Sequence, residues 1–480
     1  MPPTFFFSSL LFSFLISCVD GADIEFTIEN DNSDTEEPYF EPTEEEFGEY
    51  LDAAHTQSGS HVGDYFGSAL GSGDVNGDGY GDLIVGAYGH DENGIHSGAA
   101  YLFLSPFSQD QSPIRFLGME PKDHAGLNVH ISPDLSGDGV GDIVISAPYN
   151  KTVYIFRSQS FGSLPQNDIF LDQADHIIIG ENAGDYIGWS LASTGDIDGD
   201  GNHELLIGAD GVDYGSFSGG MTYLLFSQTL SSQTRFNIEI ADRKFVGDQA
   251  LANAGQSVAS EDLDGDGLDD IIIGADGGDE GAENGGSVYV NFGSNLQAQD
   301  LRLSNSDITL YTRTPFSEAG SKLATGGDCN GDGYRDLLIG APSPEPTRID
   351  SSAFLLLGGN INNGALEDSA SQFVGNYDNT GYSVSFSPDI DGDGYEEVVI
   401  GAPNLYSNTK GGNTYLWPST SLSSGTMLVA QSPYVFASEN PRERSGFSIA
   451  ATEDSQGVHL IIGAPQTNRV GSVSFLLFSP

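Results

Sequence analysis

The sequence predicts an all-β chain, a seven-bladed β-propeller of four-stranded antiparallel blades with calcium-binding loops, and three observations predict it. An acidic nonapeptide recurs every 60 to 66 residues. Each copy runs into a short apolar, β-branched stretch and then into an alternating aromatic one. Nothing in the 480 residues sustains a 3.6-residue apolar period. Self-similarity at a fixed spacing sets the architecture before any local reading, and a four-stranded unit of this kind is a propeller blade. The 63 Gly, 28 Phe and 20 Tyr suit aromatic strands joined by tight turns.

The repeat is clearest in DVNGDGYGD, Asp74 to Asp82. Oxygen-bearing side chains fall at positions 1, 3, 5 and 9: Asp74, Asn76, Asp78 and Asp82. Tyr80, at position 7, offers its main-chain carbonyl, and Gly77 and Gly79 permit the left-handed turns of a tight curl. Calcium takes six to eight oxygen ligands, so it needs carboxylates converging in this way. Asp134, Ser136, Asp138, Val140 and Asp142 repeat the pattern, as do Asp196, Asp198, Asp200, Asn202 and Glu204. So do Asp262, Asp264, Asp266, Leu268 and Asp270; Asp328, Asn330, Asp332, Tyr334 and Asp336; and Asp389, Asp391, Asp393, Tyr395 and Glu397. A seventh copy, Asp454 to Leu460, keeps the place but has lost its acids. An EF-hand needs an acid at position 12 between helices; position 12 here is Val85 or Ile145, inside a strand-like run. About six structural calcium ions are expected.

Each unit opens on a small-residue strand, as in FGSALGSG from Phe66 or IGWSLASTG from Ile187. After the acidic loop comes a continuous apolar run such as DLIVGA at Asp82 or DIIIGAD at Asp270, the mark of a strand buried on both faces. An aromatic strand follows, then a weaker polar one such as RFLGM at Arg115. The seventh unit ends at Pro480 after three strands, so residues from Tyr50 to His61 are expected to supply its fourth and close the ring.

With these residues in view, the pattern FG, DxNGDGxxD, LLIGAP and an aromatic strand resembles the FG-GAP repeat of integrin α-subunit propellers and bacterial surface proteins, from Phe66 to Pro480. The Phe of FG survives only at Phe66, and the Pro of GAP becomes Tyr88, Asp210 or Asp276 in three units. The resemblance implies a monomeric binding or adhesion module that takes an extracellular protein or polysaccharide on the face opposite the acidic loops. Heterodimeric integrin function is not implied. Tyr88, Tyr149, Tyr214 and Tyr406 stand out as contact aromatics, and Arg348, Lys410 and Arg469 as the rare bases of that face. The competing class is a propeller hydrolase or lyase acting on extracellular polymers. No G-x-S-x-G, HExxH or P-loop occurs, so the sequence reads as a non-enzyme.

The net charge of −54 makes nucleic acid and anionic membranes poor partners, and six calcium ions would leave it near −42 by simple charge counting. Phe5 to Ile16 has the length of a signal-peptide core, and Leu15-Ile16-Ser17-Cys18 resembles a lipobox, which would make Cys18 a lipidation site and the only membrane attachment. Residues 1–18 are read as the leader and 19–49 as an acidic tether too polar to fold, with 50–480 as the propeller. The protein is expected outside the cell, as a surface or outer-membrane lipoprotein or freely secreted. Cys329 is left as a small buried filler.

Overall fold

The computed structural model describes residues 49–158, 168–214, 216–296, 299–343, 351–407, 409–438 and 440–479. The expected leader, Cys18, nearly all of the tether and Arg348 lie outside the described residues. The described chain forms seven sheets, one per repeat, arranged as a seven-bladed propeller. Blade one consists of Leu70–Gly73, Asp82–Ala87, Ala99–Phe103 and Ile114–Leu117, each antiparallel to the next.

The apolar runs are continuous because each blade is sandwiched between two others. Every residue of Asp82–Ala87 is buried. Its odd residues, Leu83, Val85 and Ala87, pack with Ile461, Val473 and Phe475 of blade seven. Ile84 turns the other way, toward Ile143 and Ile145 of blade two. Strand period 2 thus feeds two inter-blade cores at once, and each such fully buried Leu, Ile or Val is worth about 1.5–3 kcal/mol relative to exposure. Cys329, 4% exposed, is a filler in one of these cores, as its sequence position suggests. Side-chain hydrogen bonds lace the innermost strands around the axis: Ser72 Oγ donates to Ala451 O at 2.9 Å, and Thr325 Oγ1 to Ser260 O at 3.1 Å.

The ring closes as expected. His55–Ser58 pairs antiparallel with Ser472–Phe478 as the fourth strand of blade seven, with His55 opposite Phe475. Two features depart from the sequence reading. First, six blades have five strands, not four. Ile169–Phe170, which leads into the last strand of blade two, lies parallel on the outer edge of blade one. Arg235–Asn237, Asp300–Arg302, Gly364–Ala365 and Thr426–Leu428 repeat this lending in blades two to five, and Glu49–Tyr50 does so for blade six. These pieces are two or three residues long, too short for an alternating pattern to register. A buried apolar residue follows each of the five internal ones: Leu171, Ile238, Leu303, Leu366 and Val429.

Second, blade seven has no vestigial ion loop. Ser448–Asp454 and Gly457–Ala464 form a tight hairpin in which Asp454 faces Gly457 across a two-residue turn. The residue standing where Asp82 stands in blade one is His459, paired with Thr452 as Asp82 is with Gly73. Its Nε2 lies 3.0 Å from Asp454 Oδ1, and both side chains are buried. An imidazole–carboxylate pair thus occupies the place of the ion loop.

Candidate functional site

The acidic loop joins the end of each innermost strand to the start of the next, so all six lie at one end of the blades. Position 1 organises the curl. Asp74 Oδ1 accepts from Gly77 N at 2.7 Å and Oδ2 from Gly79 N at 2.8 Å, both glycines holding positive φ. Asp134, Asp196, Asp262, Asp328 and Asp389 make the same two contacts. Position 7 closes back on position 5, as when Tyr80 N donates to Asp78 Oδ1 at 2.9 Å. In the same way Asn76, Asp198, Asp264, Asn330 and Asp391 each accept from the N–H of position 5.

Position 9 is different, being 0% exposed in all six loops. Asp82 accepts from Val75 N at 3.0 Å and from Ser105 N at 2.9 Å, which ties the loop to the chain leaving the third strand. Asp142, Asp270 and Asp336 make the equivalent pairs. The glutamates have one arm to spare. Glu204 Oε2 accepts from Ile197 N at 2.9 Å and Glu397 Oε2 from Ile390 N at 3.0 Å, while Oε1 of each is buried without a partner. A serine fills the space at position 5 in these two loops: Ser227 Oγ donates to Asp200 Oδ2 at 2.6 Å, and Ser419 Oγ donates to Asp393 Oδ2.

Burial pushes the position-9 carboxyls up, to about 6 for Asp82, Asp142 and Asp336, about 7 for Asp270 and Glu397, and about 8 for Glu204. Backbone N–H donors pull against that shift, and the acids at positions 1, 3 and 5 add to it. A buried carboxylate oxygen without a donor, as at Glu204 and Glu397, is a place where a cation would be favoured. Ligand atoms of Asp196, Asp198, Asp200 and Glu204 lie within 4.8 Å of one another, as do those of Asp389, Asp391, Asp393 and Glu397 and those of Asp262, Asp264 and Asp270. In the second loop Ser136 Oγ and Asp138 Oδ2 are also buried and unpartnered. The all-oxygen donor sets are compatible with calcium.

The other end of the blades carries a second arrangement. The residue two places before each entry glycine is left-handed in every blade: Tyr65, His124, Tyr186, Asn253, Glu318, Asn379 and Arg444 have φ between 51° and 60°. A side chain in this region costs about 1–2 kcal/mol, and such strain gathers at functional surfaces. Over blades one to three these residues join a run of half-buried rings. Tyr65 stacks on Tyr88 at 4.9 Å; His124 lies 5.9 Å from Tyr88 and 4.6 Å from Tyr149; Tyr186 lies 5.4 Å from Tyr149 and 5.9 Å from Trp189. Of the four expected contact tyrosines, Tyr88 and Tyr149 belong to this arc, while Tyr214 and Tyr406 stand exposed apart from it. Sequence reasoning missed Tyr65, His124, Tyr186 and Trp189; the first three carried a signal in their fixed place two residues before the entry glycine. Past the end of the arc, in blades six and seven, Arg442 and Arg444 line a shallow hollow with Leu405, Ser407 and Gln466.

The family model described as FG-GAP repeat matches residues 66–103, 187–225, 254–291, 319–347 and 380–417. The chain is an FG-GAP β-propeller. Five blades carry the match, and blades two and seven hold the same strands without it. The bovine phosphatidylinositol-glycan-specific phospholipase D is 25% identical over 473 residues, covering 86% of this chain and 54% of that protein. The human protein of that name is 27% identical over 380 residues, 70% of this chain and 43% of its own. Integrin alpha-3 of Cricetulus griseus is 32% identical over 174 residues, 34% of this chain and 16% of the integrin. The propeller thus spans about half the length of the phospholipases it matches. These relatives correct the reading of the sequence as a non-enzyme, since the longest match shown is to proteins named as enzymes. That reading rested on missing nucleophile and phosphate-loop motifs, and such motifs do not exhaust hydrolytic chemistry. Among the described residues no helix is long and apolar enough to cross a membrane.

Proposed function

We propose that this FG-GAP propeller is an extracellular, monomeric binding module, stabilised by about six calcium ions, that takes a glycan along the aromatic arc. The ions would be held by the side chains at positions 1, 3, 5 and 9 of the six loops and by the carbonyl at position 7. Calcium there would supply positive charge to the position-9 carboxylates, which the fold has already stripped of water. The acidic loops would then fix the ring, while the opposite face meets the ligand.

The arc carries the ligand reading. Six rings in a continuous 4.6 to 5.9 Å series present flat apolar faces of the kind a pyranose ring packs on, and the half-buried setting limits the entropy lost on binding. A glycan array probed with the calcium-loaded chain tests this. Glycan binding that Tyr88→Ala and Tyr149→Ala each reduce at least tenfold, with unchanged melting, is the expected result. An array with no bound glycan, or variants that bind as the parent does, would overturn it.

A second reading rests on the phospholipase relatives and the Arg442–Arg444 hollow. In it the propeller is the recognition part of an enzyme that acts on a phosphorylated glycan, with the guanidinium pair taking the anionic group. Binding of a phosphatidylinositol glycan by the full chain that Arg442→Ala and Arg444→Ala each weaken would favour it.

A further inference from the structure

Among the described residues, blade one carries a cluster that no other blade repeats. His61, Asp64 and His90 offer ligand atoms that all lie within 4.8 Å of one another. Asp64 and His90 are each 1% exposed, whereas His61 faces solvent. The three come from two separate stretches. His61 and Asp64 sit on the segment that leads from the ring-closing strand into blade one, and His90 follows the second strand of that blade.

The repeat supplies its own control. Asp123 and Asp185 match Asp64, and like it they accept the N–H three residues earlier: Glu120 N and Asn182 N donate to them at 3.1 and 3.0 Å, and His61 N donates to Asp64 at 2.8 Å. That much is turn formation, common to several blades. What differs is the partner. In blade two the side chain bonded to Asp123 is the amide of Asn150, and in blade three the place of His90 is taken by Val212. Among the described residues, blade one alone sets an imidazole against this aspartate and adds a second from His61.

The surroundings have the form of a metal site. His90 Nδ1 lies 3.2 Å from Asp64 Oδ1, and its Nε2 lies 3.2 Å from Glu92 Oε2. Glu92 is fixed in turn by Arg115 Nη1 at 2.7 Å. A carboxylate on the far nitrogen of a histidine, itself hydrogen-bonded, is the usual support of a metal-binding imidazole. Asp64 Oδ2 is anchored by two main-chain donors, Ser60 N and His61 N, and lies 3.8 Å from His61 Nδ1, while Oδ1 faces His90 Nδ1. The two stretches are packed backbone to backbone. Gly89 N donates to Asp64 O at 3.1 Å, and a Cβ on Gly89 would come within 2.0 Å of Gly63 O. Asp64 and His90 are therefore held at fixed spacing before any ligand arrives, and the exposed His61 completes the group from the surface.

We infer that His61, Asp64 and His90 form a binding site for a borderline divalent transition metal of the zinc class, distinct in chemistry and place from the acidic loops. Two imidazoles with one carboxylate oxygen select such an ion over calcium, which prefers all-oxygen shells. Three protein ligands leave a fourth position to water or to a ligand atom. A metal here joins the ring-closing segment to blade one, so it staples the seam of the propeller.

The test is zinc binding to the full chain in saturating calcium, followed by competition with a chromogenic zinc chelator, with cobalt(II) as a spectroscopic probe. The parent is expected to bind one zinc more than His90→Asn, which carries the blade-two residue at that place. The exposed His61→Ala, which removes no buried contact, should weaken zinc roughly 10–100-fold, the scale of losing a metal-site group, with calcium-loaded melting unchanged. Cobalt should give the intense visible bands of a four-coordinate N/O site in the parent and lose them in both variants. Zinc stoichiometry and affinity equal in the parent, His61→Ala and His90→Asn, or no zinc bound by the parent, would overturn the assignment.

Discussion

Replacing Glu204 by glutamine separates a metal ligand from a merely buried acid. Glu204 is 0% exposed, with Oε2 taking Ile197 N at 2.9 Å and Oε1 unpartnered, and its carboxyl is pushed up to about 8. In chelator at pH 7 the native group is largely protonated while the unfolded one is ionised. That difference weakens the fold by about 2–3 kcal/mol. Glu204→Gln keeps the acceptor for Ile197 N and removes the ionisation, so without calcium the variant should be the more stable. With calcium at a hundred times its dissociation constant, the parent gains about 2.7 kcal/mol from this site, and the variant forgoes most of it. For a propeller of about 400 residues a kcal/mol is worth about 1 °C. The variant should therefore melt about 2–3 °C above the parent in chelator, and its calcium-induced rise should be smaller by about 3 °C. Differential scanning calorimetry in calcium and in chelator reads both numbers. Asp454→Ala in the hairpin of blade seven is the control: it should lower melting equally in the two buffers. A Glu204→Gln variant with the parent's full calcium response would refute the ligand role, whatever its melting in chelator.

The position-9 acids also set a pH dependence. All six are raised, to between about 6 and about 8. Between the unfolded and folded values the native state holds more protons than the unfolded one, so stability falls as pH rises through that window. Urea midpoints in chelator should be higher at pH 5.5 than at pH 8, and calcium should flatten or reverse the trend; a chelated protein that gains stability toward pH 8 would contradict the burial argument. Deleting residues 49–58 removes the fourth strand of blade seven and the fifth of blade six. The bare edge of Ser472–Phe478 should then pair with other copies, and light scattering after size exclusion should show larger oligomers than the full chain forms.

Much of this was legible along the chain. Asp82–Ala87 and its six counterparts read as buried strands because the apolar run is continuous, and packing between two neighbours demands that. The curl of the acidic loops was legible because Asp74, Asp78 and their equivalents act within nine residues, where spacing is geometry. Blade seven misled because Asp454 and Gly457 keep the letters of a loop at a point where the hairpin has been shortened. The fifth strands were hidden for another reason. Ile169 and Phe170 are two residues whose partners, Phe116 and Leu117, lie over 50 positions away.

The sequence by itself determined the blade count, the strand order and the place of each acidic loop, since these follow from a local period repeated seven times. It also determined the ring closure, because an edge strand missing at one end must be sought at the other. Only the tertiary structure decided which of the two carboxyl oxygens at Glu204 and Glu397 is left bare, because that depends on main-chain donors arriving from other segments. The same holds for the ring series from Tyr65 to Trp189 and for the meeting of His61 with His90. Each joins residues of different strands or blades, and contacts of that kind arise only when the repeat closes on itself.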